Sequence, residues 1–575
     1  MNIFNIMKKN KIKNKWSNYY TKQEWNVNIP DISIYKHMSN NAEKYLEVNA
    51  FNYFGKTMKY KEMLKQIDLC AKAFRSQGIR KGDVVTICMP NTPEGVICFY
   101  ALNKIGAIAN MIHPLSGEKE IKEYLNSTES VMLVMIDLCY EKIKNIIKET
   151  NVYKTVVVSV KDSMPFLLGL GYSFTKGLKV DKPKRSSEYI YYKEFLLSGY
   201  NYHGNCDFNI KKDDPAVILH SGGTTGNPKG ILLTNGNFNA LAIQARIVFK
   251  RVEVGDKCLT IMPIFHGFGL GVSTHCPLSL GATCILVPQF DARKFDKMLK
   301  KYTPNVLLGV PTLYEALVNT NNTNLDLSYI KYIISGGDSL SSSLERRINV
   351  YLEKCGCTEK INQGYGMTEC LAAVALSYDK ASREGSIGIP FPGNYFKIVK
   401  PGTQEEVKAN EDGEICVSGP TVMVGYLNNE KETNEVLQIH KDGMIWMHTG
   451  DIGCINEEGI IYYKQRLKRM IISSGYNVYP SYVESVIEEH ESVLKCTVIG
   501  IPHPYKVEVP KAYIVLKADL KPSVAIKNSI KKHCEKNLAK YSIPYEFEFR
   551  KSLPKTLIGK VDVKKLKEES EEIEK

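Results

Sequence analysis

From Ala216 to Phe238 the chain reads AVILHSGGTTGNPKGILLTNGNF. Ala216 to Leu219 is a continuous apolar run, the pattern of a buried strand. Ser221 to Gly230 then carries four glycines, two threonines, one serine and one lysine. Glycine lets the backbone turn its N–H groups toward an anion with no Cβ in the way. The hydroxyls of Ser221, Thr224 and Thr225 donate hydrogen bonds, and Lys229 adds a point charge. A strand, a donor-rich loop and then a lysine suit a polyphosphate. On this stretch alone an ordinary glycine-rich turn stays open. A Walker A loop needs glycine directly before its lysine and Ser or Thr directly after it. Pro228 and Gly230 occupy those places, which excludes that loop on local geometry.

At 575 residues the chain exceeds one ordinary core, so two or more domains are expected. The 43% hydrophobic and 24% charged residues are those of a globular protein. No run of about 18 apolar residues is uninterrupted, which argues against a spanning helix. MNIFNIM is followed by Lys8, Lys9, Lys11, Lys13 and Lys15, the reverse order of a secretory signal, so a cytoplasmic protein is expected. The net charge of +14 is spread with heavy Lys and Asn usage rather than gathered into one block. It reads as solvated surface that also steers polyanions, and no nucleic-acid-binding motif accompanies it. The fifteen cysteines show no zinc spacing, and no disulfide or structural metal is expected.

A βαβ rhythm organises the larger part of the chain. Gly82-Asp83 opens a strand, an apolar helix and a second strand, and FNYFGKTMKY before it reads as a hairpin around Gly55. Val131 to Ile136, Thr155 to Val160, Cys284 to Val287, Val306 to Val310 and Tyr332 to Ile334 are apolar strands covered on both faces. The fold class is therefore α/β: a large N-terminal domain of βαβ-type sheets with a β-rich part past Gly413, and a small α+β C-terminal domain. Residues 1–30 are expected to be loosely held, and KKLKEESEEIEK to be a solvated helical end. The segment 163–180 is apolar and glycine-rich with two lysines, and the chain is then polar and basic through Arg185. It reads as a peripheral patch that touches a membrane or leads to an apolar tunnel, or as a lobe packed on its own domain.

Further motifs follow in order. PIFHGFGLG sets His266 in a glycine-rich turn, and SGGDSL closes an apolar strand. In QGYGMTE an aromatic ring between glycines can lie flat on a purine, Thr368 can donate to a phosphate, and Glu369 can hold Mg2+ through oxygen. HTGDIG supplies Asp451, an acceptor for ribose hydroxyls, and Arg466 in YKQRLKRMIISSGYNVYP can reach the same sugar. LPKTLIGKV places Lys560 directly after Gly559.

Together with the glycine-rich loop, this series resembles the AMP-forming adenylate-forming superfamily, and most resembles a fatty acyl-CoA synthetase. GGDSL also resembles a phosphopantetheine site, but its place between nucleotide motifs argues against modification of Ser339. The resemblance implies that Ser221, Gly222, Gly223, Thr224, Thr225, Gly226 and Lys229 hold the β- and γ-phosphates of ATP. It sets Gly336, Gly337 and Asp338 against the adenine and acyl pocket, and Tyr365 and Gly366 at the adenine. Thr368 meets the α-phosphate and Glu369 the Mg2+. Asp451 and Arg466 take the ribose, and His266 lies beside the acyl carboxylate. Lys468 is the hinge between domains 1–466 and 467–575, Ser474, Gly475 and Tyr476 form the loop facing coenzyme A, and Lys560 is the catalytic cation. Gln465 departs from the Gly or Asp usual before the arginine.

The implied reaction makes an acyl-adenylate and pyrophosphate from a carboxylic acid and ATP, then transfers the acyl group to coenzyme A. The 163–180 lobe and the small residues Gly267, Gly269 and Gly271 favour a medium- or long-chain fatty acid. Alternatives are an aromatic acid, a carrier protein as acceptor, a luciferase-like oxygenase, or a regulator that binds acyl groups or nucleotide without catalysis.

Overall fold

The computed structural model describes residues 15–175, 181–221, 229–473, 476–503, 505–556 and 561–573. Short apolar runs alternating with helices assemble into two large sheets. The first has nine strands. Asn362–Tyr365, Tyr332–Ser335, Val306–Gly309, Lys257–Thr260, Thr283–Leu286 and Asn49–Tyr53 run parallel through its centre. The expected hairpin closes one edge, Lys56–Lys59 pairing back on Asn49–Tyr53. The second sheet has eight strands, with Ile108–Met111, Val84–Cys88, Met132–Ile136, Lys154–Val158 and Tyr189–Tyr191 parallel. Its other end is the antiparallel pair Pro215–Ser221 and Lys229–Thr234, to which Gly425–Tyr426 adds.

Parallel strands need crossover helices, and those helices fill the space between the sheets. Pro93–Lys104, PEGVICFYALNK, is apolar on every side between its two charged ends and is buried along nearly its whole length. Thr92 caps it, accepting from the Gly95 N–H at 3.2 Å. Asn235–Val248 is buried in the same way. One hydrophobic cluster includes Ile87, Leu102, Leu241, Leu270 and Cys284, so both sheets share a core.

A third, antiparallel sheet of five strands runs from Tyr395 to Arg466. A single 3-10 turn, Leu467–Arg469, leads from it into the small C-terminal domain. That domain has its own five-stranded sheet, built on the long hairpin Val493–His503 with Val507–Leu516, and its own core around Val483, Val498 and Ile530.

Two terminal expectations need correction. Residues 15–25 are pinned, not loose: Trp16, Tyr20 and Trp25 are buried. Trp16 Nε1 donates to the Gly459 carbonyl at 2.8 Å and the Tyr20 hydroxyl to that of Pro390 at 2.8 Å. Near the other end, the helix Val563–Ile573 buries Leu566 against Ile499, Tyr513 and Leu553, so it is not wholly solvated. The polar composition of both segments concealed a few large apolar anchors. All fifteen cysteines are buried and free.

Candidate active site

In a parallel sheet with helices on both faces, the carboxyl ends of the strands open onto a crevice. Here Pro263, Val310, Gly336 and Tyr365, at or just past the ends of four neighbouring strands, line a cavity of about 890 Å3. Ser221 and Lys229, the two described ends of the glycine-rich loop, enter from the second sheet, and Thr449, Gly450 and Arg466 from the third. Residues 222–226, expected to cradle phosphate, lie outside the described residues.

Lys229 Nζ lies 2.5 Å from Glu432 Oε2 and 4.8 Å above the Tyr426 ring. The Tyr426 hydroxyl donates to Glu369 Oε1 at 3.1 Å. One polar chain thus joins Glu432, Lys229, Tyr426 and Glu369 along the wall. Thr368 and Glu369 reach the cavity because the backbone reverses just behind them. Leu371 and Ala372 both adopt left-handed φ, +54° and +68°. Their N–H groups bond back to the carbonyls of Thr368 and Met367 at 3.1 and 2.8 Å. Two consecutive non-glycine residues in that region are a strained choice, of the kind that clusters at functional sites. Gly366 is required by close approach, since a Cβ there would meet the Ala372 carbonyl oxygen at 2.4 Å.

The Tyr365 hydroxyl donates to Asp451 Oδ2 at 2.6 Å, and Arg466 Nε lies 2.9 Å from Asp451 Oδ1. Asp451 itself is buried behind the cavity lining, and apart from Arg466 its Oδ1 has no polar partner among the described residues. Burial raises the Asp451 carboxyl above its ordinary value, with Arg466 pulling it back. Burial also pushes the Tyr365 phenol well up, so it stays a neutral donor. The turn before Asp451 is held from below. The Gly450 N–H donates to Glu414 Oε1 at 3.0 Å, and His448 Nδ1 sits 2.9 Å from Glu414 Oε2. His448 Nε2 is 2.9 Å from His440 Nε2. Burial, then the nearby Lys397, lowers His440 to about 4, which keeps it neutral at pH 7. Gln465, beside Arg466, is fully buried and neither end of its amide has a hydrogen-bond partner among the described residues.

His266 also lines the cavity, ahead of a π-helix, Phe268–His275. Short π-helical segments are rare and recur at functional sites. Phe249, Val272, Val310 and Phe391 add apolar side chains to the lining. Of the three glycines read as making room for an acyl chain, only Gly267 lines the cavity. Gly269 is there for backbone packing: a Cβ would sit 1.9 Å from the Pro263 carbonyl oxygen. Gly271 packs against Leu241 and Leu371.

The remaining expected residues are spread around this centre. Gly337 lines the cavity with a left-handed φ of +76°, whereas Asp338 is exposed outside the lining and accepts from the Ser339 N–H at 2.9 Å. Lys468 lies on the rim, in the 3-10 turn. Tyr476 begins a short strand paired with Ile471–Ser473, and Ser474, Gly475 and Lys560 lie outside the described residues. Sequence reasoning missed Tyr426, Glu432, Glu414, His113 and His220. His220 stands directly before the glycine-rich loop, the others carry no motif of their own, and the sheet pairing of Gly425–Tyr426 with Lys229–Thr234 is what brings Tyr426 and Glu432 to the site.

Residues 38–427 match the AMP-binding enzyme family, and residues 482–560 match the AMP-binding enzyme C-terminal domain. The chain belongs to this family of AMP-binding, adenylate-forming enzymes. Among its relatives is a long-chain-fatty-acid–CoA ligase of Bacillus subtilis, 32% identical over 95% of this chain and 96% of its own length. One of that name from Haemophilus influenzae is 33% identical over 85% of this chain and 86% of its own. A crystal structure of an anthranilate CoA ligase in complex with anthranoyl-AMP shares the fold, with a TM-score of 0.82 at 24% identity over 94% of this chain and 97% of that one.

Proposed function

We propose that the protein is an AMP-forming ligase that joins a medium- or long-chain fatty acid to coenzyme A through an acyl-adenylate. The observation that carries this is one cavity lined by Lys229, Thr368 and Glu369 together with His266 and the apolar side chains of Phe249, Val272, Val310 and Phe391. Relatives named long-chain-fatty-acid–CoA ligase align over nearly the whole chain and support the acid class.

In the first half-reaction a carboxylate oxygen of the acid attacks the α-phosphorus of ATP. The bond from that phosphorus to the oxygen bridging to the β-phosphate breaks, and pyrophosphate leaves. Tyr365 faces the adenine, and Asp451 and Arg466 take the ribose hydroxyls. Lys229 exchanges Glu432 for the β- and γ-phosphates. Thr368 donates to an α-phosphoryl oxygen, and Lys560 opposes the charge that builds there. His266 orients the acid. Glu369 is the carboxylate suited to Mg2+, which neutralises phosphoryl charge when bound. No cluster of three His, Cys, Asp or Glu side chains fit to hold a metal occurs among the described residues. The ion would therefore share its coordination with phosphate and water, as Mg2+ commonly does.

In the second half-reaction the thiolate of coenzyme A attacks the acyl carbon. The thiol proton has first passed to water; a C–S bond then forms and the C–O bond to AMP breaks. We place the domain boundary between 1–466 and 467–575. The third sheet ends at Arg466 and the C-terminal domain has a separate core, which supports a swing about Lys468 that withdraws Lys560 and brings in the loop of Ser474, Gly475 and Tyr476.

A panel of carboxylic acids assayed for AMP formation with and without coenzyme A tests this reading. Fatty acids of medium or long chain should give the highest kcat/KM, with turnover dependent on coenzyme A. A preference for aromatic acids, or AMP release indifferent to coenzyme A, would contradict it.

A further inference from the structure

The strand Lys154–Val158 leaves the second sheet into a helix, Phe166–Phe174, whose sequence FLLGLGYSF contains no charged residue. Only Gly169 of this helix is buried. Phe166, Leu167, Leu168, Leu170 and Phe174 are 78%, 80%, 51%, 40% and 73% exposed. These are five of the 22 exposed large hydrophobic residues among those described, gathered into nine positions. Single exposed apolar residues need no explanation, but a contiguous set marks an interaction surface.

Cations stand around the base of this helix. Lys161 packs against Gly169 and donates to Ser173 Oγ at 3.4 Å. Lys193 Nζ lies 3.6 Å from Asp162, and Lys182 Nζ lies 3.3 Å from the buried Asp137, whose charge also acts on Tyr172 of the helix. Lys184 is exposed nearby in sequence. From 161 to 193 the sequence carries seven Lys or Arg against three Asp or Glu. At about 1.5 Å per residue the helix is far too short to cross a bilayer. Apolar side chains above a basic collar are instead the arrangement of an element lying in a lipid interface beside anionic headgroups.

The lobe is also tied to the cavity. Ser163 Oγ donates to Glu94 Oε1 at 2.5 Å, in the first turn of the buried helix Pro93–Lys104. Two residues before that helix, Asn91 Nδ2 donates to the carbonyls of Thr260, Ile261 and Met262 at 3.0, 3.3 and 3.1 Å, and Oδ1 accepts from the Ile264 N–H at 2.9 Å. That clamped loop leads directly to His266. We propose that Phe166–Phe174 docks the protein on an anionic lipid bilayer, on a lobe linked through Glu94 and Asn91 to the loop that carries His266. The docking itself does not depend on the chemistry assigned to the cavity.

Sedimentation of the full chain with vesicles of phosphatidylcholine, with and without phosphatidylglycerol, tests this. Binding is expected on the anionic vesicles, weaker on the neutral ones and weakened by salt. Replacing Leu167, Leu168 and Phe174 by serine should lower partitioning roughly 100-fold with the thermal transition unchanged. Should that variant fail to fold, Leu167→Cys serves instead. Every native cysteine is buried, so a polarity-sensitive dye will report that position, with a blue shift on anionic vesicles expected. Wild-type protein that stays in the supernatant, a serine variant that sediments equally, or a dye that does not respond would overturn the proposal. A solution dimer that the serine variant dissociates would assign the surface to a second copy, and would overturn it too.

Discussion

Asp451→Asn separates a ribose-binding carboxylate from one that merely ties Tyr365 to Arg466. Asparagine keeps the shape and still accepts the Tyr365 hydroxyl, now 2.6 Å from Oδ2. What it loses is charge toward Arg466 and toward two sugar hydroxyls. Hydrogen bonds to a charged acceptor are worth about 1 kcal/mol more than neutral ones, so two of them amount to about 2 kcal/mol. That corresponds to roughly a 30-fold fall in kcat/KM for ATP. Stability should change by no more than about 1 kcal/mol, because burial already disfavours the ionised carboxyl and its removal offsets the weakened pair. The assay is pyrophosphate release as a function of ATP, repeated with 2′-deoxy-ATP and 3′-deoxy-ATP. Wild-type enzyme should lose activity with each analogue, and the variant should lose little more than it already has. A variant with a lowered melting temperature but a KM for ATP within about twofold of wild type would show that Asp451 acts only inside the protein.

Lys560→Ala should lower acyl-adenylate formation on the order of 100- to 1,000-fold, the scale for losing a preorganised charge, and spare thioester formation from supplied acyl-adenylate. Equal loss in separate assays of the two half-reactions would remove the assignment. Burial, opposed by the Ser163 hydrogen bond, raises Glu94 from 4.5 to about 7. Between those values the folded chain binds more protons than the unfolded one. Stability therefore falls as pH rises through that window, by about 3 kcal/mol in all. Glu94→Gln should remove that slope in denaturant titrations at about pH 5 and about pH 8, and an unchanged slope would clear Glu94. Gln465→Met replaces a fully buried, unbonded amide and should stabilise the protein by about 1–3 kcal/mol. A fall in melting temperature would instead reveal a partner for that amide.

The sheets were legible because their strands are buried on both faces and so appear as unbroken apolar runs, as at Val131 to Ile136 and Val306 to Val310. The site was legible where chemistry demands glycine beside a polar residue, as in QGYGMTE and around Lys229. It was not legible where sheet pairing alone makes the contact. Tyr426 and Glu432 lie some two hundred positions from Lys229 in sequence and meet it only because Gly425–Tyr426 adds to the strand that Lys229 begins. Glu414 is likewise an unremarked residue of GEICVSG until antiparallel pairing sets its strand beside Ile445–Ile455. Glycine's several uses misled once. Gly269 and Gly271 answer to backbone and leucine neighbours, and that demand leaves the same letter in the sequence as an open acyl pocket does.

The account stands on which phosphorus of ATP is attacked. Purified protein given magnesium, ATP, coenzyme A and a long-chain fatty acid should yield AMP, pyrophosphate and acyl-CoA in equal amounts. ADP and orthophosphate as the phosphorus-containing products would contradict it.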